Sequence, residues 1–251
     1  MRWYLNWLFV RGVNLVYPHA FYYSVREDRG DERPPEVGLH NPFWPSYKLM
    51  SDFIKRMCFL NTDSVNEAKV AILCSEEELS WELAKPLFTN QIEFNYLERE
   101  LLVQCRVSGE ALSIRDWNYN VIVCDEKTYK GISSSQKEVL SKFTAAGGVL
   151  VLDPEDETYY IKKISQNVKK SVTFIGDTTD LRCSCGRKEQ EDFMILCNEG
   201  MEPINIEAKL SDEKRIFEKL WNPYTGEMRR PGANNFSLKI GVNDLWVAFE
   251  A

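Results

Sequence analysis

The sequence predicts an α/β fold, with a doubly wound parallel sheet followed by an antiparallel β module. Three observations carry this. Short, continuously apolar runs at 70–74, 120–124 and 149–152 alternate with helical patterns, which is how parallel strands covered on both faces read. From about residue 178 the helical signals stop, and short strand-like runs are separated by turn residues. The first 60 residues fit neither pattern, because two helical stretches flank a long loop dense in aromatic side chains.

Taken in order, residues 2–11 suit a helix, with Trp3, Trp7 and Val10 at spacings of four and three and Gly12 to end it. Residues 13–17 read as a short buried strand that Pro18 and His19 terminate. Residues 21–45 hold Pro34, Pro35, Pro42 and Pro45 among charges and aromatics, which predicts an ordered loop rather than a linker. A helix follows at 46–60, with Met50, Phe53, Ile54 and Met57 on one face. After the strand at 70–74, residues 80–104 look helical, with a break near Pro86. The strand at 120–124 leads to a capping box of Ser133 and Gln136, and that helix stops at Gly147-Gly148. The strand at 149–152, a helix at 159–168 and a further strand at 172–175 complete the α/β pattern. The β module is read at 181–185, 193–198, 204–208, 236–240 and 245–249.

Composition narrows the function. The 251 residues are 44% hydrophobic, 27% charged and 12% aromatic, which excludes a disordered or low-complexity chain. The net charge is −7 and no Lys/Arg cluster forms a basic face, so no nucleic acid or anionic membrane is expected as partner. No apolar run reaches 18 residues, so no membrane span is expected. Asn6 and Arg11 interrupt the apolar N-terminus, and no signal peptide is expected. Seven cysteines, an odd number, sit partly inside apolar runs and favour a reducing, cytoplasmic setting over a disulfide framework.

Chemistry-bearing motifs are few. There is no G-x-C-x-G or G-x-S-x-G turn and no phosphate loop. Cys74 and Cys124 end strands and read as packing residues; a cysteine-dependent amidotransferase-like enzyme is the reading in which one of them is a nucleophile. Cys183, Cys185 and Cys197 do not match zinc spacings, and the acidic run 153–157 lacks a calcium loop's glycine, so no metal and no cofactor are expected. Acidic residues in the first 60 positions lack the apolar flanks that raise a general acid's pKa. The most distinctive stretch is 13–44. Sugars stack their C–H faces on aromatic rings while His, Arg and Tyr bond their hydroxyls, and this loop has all of these. A structural loop packed over a core fits its composition equally well.

RGVNLVYPHAFYYS, followed by RPPEVGLHNPFWPSYKLMSDFIKRMCFLNTD, resembles the last part of the catalytic barrel of large bacterial glycoside hydrolases of the family 2 and α-L-rhamnosidase (family 106) kind. Gly12, Val13, Asn14, His19, Asn41, Pro42, Trp44 and Arg56 carry the resemblance, and Trp221, Pro223, Thr225, Gly226 and Glu227 match a phrase of the following β-sandwich. It implies the end of a (β/α)8 barrel at 1–62, an amidotransferase-like (flavodoxin-like) α/β domain without its nucleophile at 63–177, and a small β-sandwich at 178–251. It also implies hydrolysis of glycosidic bonds in a poly- or oligosaccharide, with His19 lining the sugar pocket and Tyr22, Tyr23 and Trp44 as its neighbours. The catalytic carboxylates would stand on earlier barrel strands, and a whole barrel does not fit in about 60 residues. The expected partners are therefore a carbohydrate and the remaining barrel portion, and the chain is expected to be inactive alone. Full-length enzymes of this kind include exported ones. The alternative is a non-enzymatic carbohydrate-binding or scaffold protein. Either way Trp3, Trp7 and Phe9 lack their native neighbours and are expected either to pack on the α/β domain or to be poorly ordered.

Overall fold

A computed structural model describes residues 1–24, 26–31, 36–154 and 156–251. Helices α1 (Arg2–Phe9) and α2 (Trp44–Asn61) come first. Residues 13–17 form no strand and pair with no strand among the described residues, and Leu15 and Tyr17 are exposed. Strand β1 (Val65–Asn66) follows. The α/β part then runs β2 (Val70–Cys74), α3 (Trp81–Thr89), β3 (Phe94–Glu98), β4 (Arg106–Ser108), β5 (Ala111–Ile114), β6 (Trp117–Tyr119), β7 (Val121–Cys124), α4 (Glu126–Lys130), α5 (Ser134–Ala145), β8 (Val149–Leu152) and α6 (Glu157–Ser165).

The parallel sheet has the order β3-β2-β7-β8. Every residue of β2 and β7 is buried, as their unbroken apolar runs require of central strands. One face packs against α3 and α6 through Leu83, Leu87, Tyr160 and Ile164, and the other against α5 and the small β4-β5-β6 meander through Leu112, Leu140 and Phe143. The Ser133–Gln136 capping box starts α5, and Gly147 ends it at φ +103, a conformation that favours glycine. The helix expected at 80–104 is shorter: α3 runs through Pro86 to Thr89, and the rest becomes β3 and a 3-10 turn. Pro86 costs α3 one backbone donor, but no break occurs there. Of the acidic run at 153–157, residue 155 lies outside the described residues, and Asp156 caps α6 by accepting from the Thr158 and Tyr159 amides.

The antiparallel part comprises β9 (Val172–Gly176), β10 (Leu181–Lys188), β11 (Glu191–Asn198), β12 (Ile204–Leu210), β13 (Phe217–Trp221), β14 (Met228–Arg229), β15 (Asn235–Ile240) and β16 (Leu245–Glu250). A six-stranded sheet, β1-β10-β11-β16-β13-β14, faces a three-stranded one, β15-β12-β9, and the two enclose a core around Leu196, Ile206, Phe217 and Trp246. Strand β9 was expected in the parallel sheet. It pairs antiparallel with β12 instead, and only Val172 of its five residues is buried, which suits a sheet with one solvated face.

Strands β12 and β15 alternate buried and exposed residues, but all of β16 is buried. The reason is α1 and α2, which cover the outer face of the larger sheet. Leu5, Phe9, Phe53, Met57 and Leu60 pack there on Phe193, Ile195, Leu245 and Val247. So Phe9 finds its cover on the antiparallel sheet, not on the α/β part. Trp3 donates its Nε1 proton to the Glu199 carbonyl at 3.2 Å, and Trp7 carries the Arg11 guanidinium 4.3 Å from its ring. Among the described residues no helix is long and apolar enough to cross a membrane.

Candidate functional site

The loop between α1 and α2 is anchored from below. Buried Asn61, at the end of α2, donates to the carbonyls of Phe9 and Val13, both at 3.0 Å. Further along, the Val37 amide bonds the Ala20 carbonyl at 2.9 Å. Ala20 is buried at φ +79, a conformation costly for a residue with a Cβ, and it directly follows His19. Asn41 then closes the loop, donating to the Glu36 carbonyl at 2.7 Å and accepting from the Phe43 amide at 2.9 Å. The N-P-x-W phrase thus works as a helix entry. Its Asn41 side chain shapes the turn, and Pro45 occupies the first turn of α2, where its missing amide proton costs nothing.

This architecture leaves a cleft of about 510 Å³ between α1, the loop and the first turns of α2. His19, Asn41 and Ser46 supply its polar lining, and Tyr4, Phe43, Tyr47 and Met50 are among its apolar walls. Of the four residues singled out from sequence, His19 lines this cleft and is exposed. Trp44 sits behind the wall, stacked on Tyr47 at 5.2 Å between ring centroids, with Phe21 edge-on to both. Tyr22 is half-buried outside the lining, and Tyr23 is 99% exposed. Tyr47 was missed by sequence reading. The available signal was its position three residues after Trp44, which puts both rings on one helix face.

Two motif residues are placed away from the cleft. Arg56 donates to the Pro223 carbonyl at 2.8 Å and so staples α2 to the antiparallel part. The W-x-P-x-T-G-E phrase is the turn that receives it. Asn222 accepts from the Tyr224 and Thr225 amides, Gly226 adopts φ +81, and Tyr224 packs edge-on against Phe53 at 5.7 Å.

The thiols are poor nucleophiles. Burial pushes Cys74 up to about 11 and Cys124 up to about 12, and the nearby carboxylates of Glu98 and Asp125 add to the effect. Such groups stay protonated at neutral pH and behave as core residues. Cys183 and Cys185 face the same way, with sulfurs 3.8 Å apart. Beside them the Glu93 carboxylate accepts from the Cys185 amide at 2.6 Å, and burial pushes its pKa up to about 7. Among the described residues no group of three or more His, Cys, Asp or Glu side chains is arranged to hold a metal ion.

No family model matches the chain, and no curated protein matches its sequence. Solved structures do match its fold. A rhamnosidase from Novosphingobium sp. PP1Y superposes over 99% of this chain with a TM-score of 0.73 at 15% identity. A catalytic mutant of Gan42B, a GH42 β-galactosidase from G. stearothermophilus, covers 91% with a TM-score of 0.58 at 11% identity. A β-galactosidase from Bacillus circulans sp. alkalophilus covers 84% with a TM-score of 0.58 at 10% identity. The chain therefore has a glycoside hydrolase-like fold. It spans 29% of the rhamnosidase chain and 48% and 46% of the two β-galactosidase chains.

Proposed function

We propose that these residues are a C-terminal portion of a glycoside hydrolase acting on a poly- or oligosaccharide. Residues 1–62 would complete a (β/α)8 catalytic barrel. The expected division at 63–177 and 178–251 shifts, because β1 and β9 belong to the antiparallel sheets, so that β2 to α6 form the amidotransferase-like domain without a nucleophile and β1 with β9 to β16 form the β-sandwich. The observation that carries the reading is the likeness to the rhamnosidase over 99% of the chain. The cleft beside His19 supports it. Its walls are mostly apolar, which suits packing against further barrel elements, and His19 stands at its edge, where a hydrogen-bonding group can reach a sugar hydroxyl. The acid/base carboxylates belong to the remainder of the barrel, so these residues alone do not hydrolyse glycosides. Tyr22, Tyr23 and Trp44 would then border the completed pocket.

The test begins upstream of Met1 in the genome. An in-frame or adjacent barrel with paired Glu residues supports the reading, and a promoter with no such gene nearby overturns it. Co-expressed with that barrel, the chain should restore hydrolysis of aryl rhamnosides or galactosides. His19→Ala should lower kcat/KM at least tenfold in that complex, the cost of one lost hydrogen bond to the sugar. An unchanged value would remove His19 from the pocket.

A further inference from the structure

We propose that the cleft between the second half of α2 and the β10–β11 hairpin binds a neutral oligosaccharide, as a surface separate from the His19 cleft. The class of ligand rests on the hydrolase reading; the site rests on its own geometry. At about 950 Å³ the cleft has room for a short saccharide. Helix α2 divides the two clefts, with Met50 and Ile54 lining the first and Arg56 and Phe59 the second.

Phe59 lies in the last turns of α2 and is 71% exposed, although the core of α2 is close by. Lys188 holds it in place. Its ammonium group lies 4.2 Å from the ring centroid and donates to the carbonyls of Phe59 and Thr62, closing the helix end. Trp221 stands deeper, 6.5 Å from Phe249. Lys188 takes one side of the Phe59 ring; the exposed remainder of this fixed aromatic, beside a second, half-buried ring, is suited to stacking on the C–H faces of pyranose units.

The polar lining points to a neutral ligand. Four basic and five acidic side chains surround the cleft, so it selects neither an anion nor a cation. Lys219 is engaged by Glu191 across the strands at 3.0 Å. The side chains of Glu189, Gln190 and Glu218 carry no hydrogen bond or ion pair among the described residues, yet all three line the cleft. Glu189 sits at φ +57 in the hairpin turn, an uncommon conformation for a glutamate, and it brings Gln190 to the rim. Planar carboxylate and amide groups can pair with the vicinal hydroxyls of a sugar.

The test is calorimetry and tryptophan fluorescence of the whole chain, titrated with di- to tetrasaccharides ending in rhamnose or galactose. A galacturonate oligomer serves as the charged comparison. Neutral glycans should bind in the millimolar range with a change in tryptophan emission. Phe59→Ala should weaken binding about tenfold, the loss of one stacking face. Gln190→Ala, at an exposed turn, should weaken it several-fold. The proposal is overturned if no glycan binds the intact chain, if the charged oligomer binds better, or if both variants bind like the parent. Hydrolysis in the reconstituted barrel complex tests the hydrolase reading separately, so failure of one does not imply failure of the other.

Discussion

Glu93 is a carboxylic acid whose chemistry is set by burial. It joins the loop before β3 to the backbone of β10, and burial raises its carboxyl to about 7 from an ordinary 4.5. The native state therefore binds its proton more tightly than the unfolded chain does. Glu93 favours folding most below pH 4.5, and that contribution is lost as the pH rises through 7. Glu93→Gln keeps an acceptor for the Cys185 amide without the buried charge. Each tenfold difference in proton affinity between the folded and unfolded chain is worth about 1.4 kcal/mol, so the variant should gain roughly 1–3 kcal/mol at pH 8 and almost nothing at pH 4.5, read from urea midpoints at both values. Equal effects at the two pH values would show that the carboxyl is not charged against its environment. Cys74 and Cys124 give a second check. Iodoacetamide at pH 8 should modify them about a hundredfold more slowly in the native protein than in urea. Rapid native modification of either would reopen a thiol-based activity. Both cysteines were legible from sequence as packing residues, because each ends an unbroken apolar run. Glu93 was not, because a lone acid between Ile92 and Phe94 shows its burial only once β10 lies against it.

At the level of elements, sequence legibility followed periodicity. Strands β2, β7 and β8 and helices α2 and α5 were readable because each is long or apolar enough to carry one clear period. The β4-β5-β6 meander was invisible, since its strands are only three or four residues long. The stretch at 13–17 misled in the other direction. It is apolar enough for a strand, but it pairs with no strand among the described residues, and Asn61 takes the Val13 carbonyl instead. Of the candidate site, His19 was singled out by the resemblance and by the end of a strand that does not form, whereas the Trp44–Tyr47 stack depended on where α2 begins. The seam between α1 and α2 should be the most sensitive place in the N-terminal region. Phe53, fully buried and edge-on to Phe9 at 5.5 Å, supports both α1 and the Tyr224 turn. Phe53→Ala should cost about 3–5 kcal/mol in denaturant unfolding, within the range for a large buried aromatic. A loss below about 1 kcal/mol would mean that the helices rest loosely on the sheet.

For the whole molecule, the N-terminal helices and the C-terminal strands depend on each other. Asp244 accepts from Arg2, Asn222, the Leu245 amide and the Trp246 indole, and Asn6 donates to the Asn243 carbonyl at 3.0 Å. Glu199 pairs with both Arg11 and Arg182. Removing residues 1–62 would bare Phe193, Ile195, Leu245 and Val247 along one sheet face, a patch of the kind that drives aggregation. The shortened chain should therefore be insoluble or unfold without a cooperative transition; a soluble, cooperatively melting product would contradict the packing of α1 and α2 on this sheet.

That packing also bears on how such a chain can be rearranged. The elements from β2 to α6 lie between β1, at the edge of one sheet, and β9, at the edge of the other. The parallel sheet is thus carried as an insert inside an otherwise antiparallel body whose two ends are sewn together. Recombination could exchange or delete the insert while the body kept its core. Swapping the first 60 residues between relatives would instead require matching changes in β11 and β16, almost two hundred positions away in the gene but directly beneath α1 and α2.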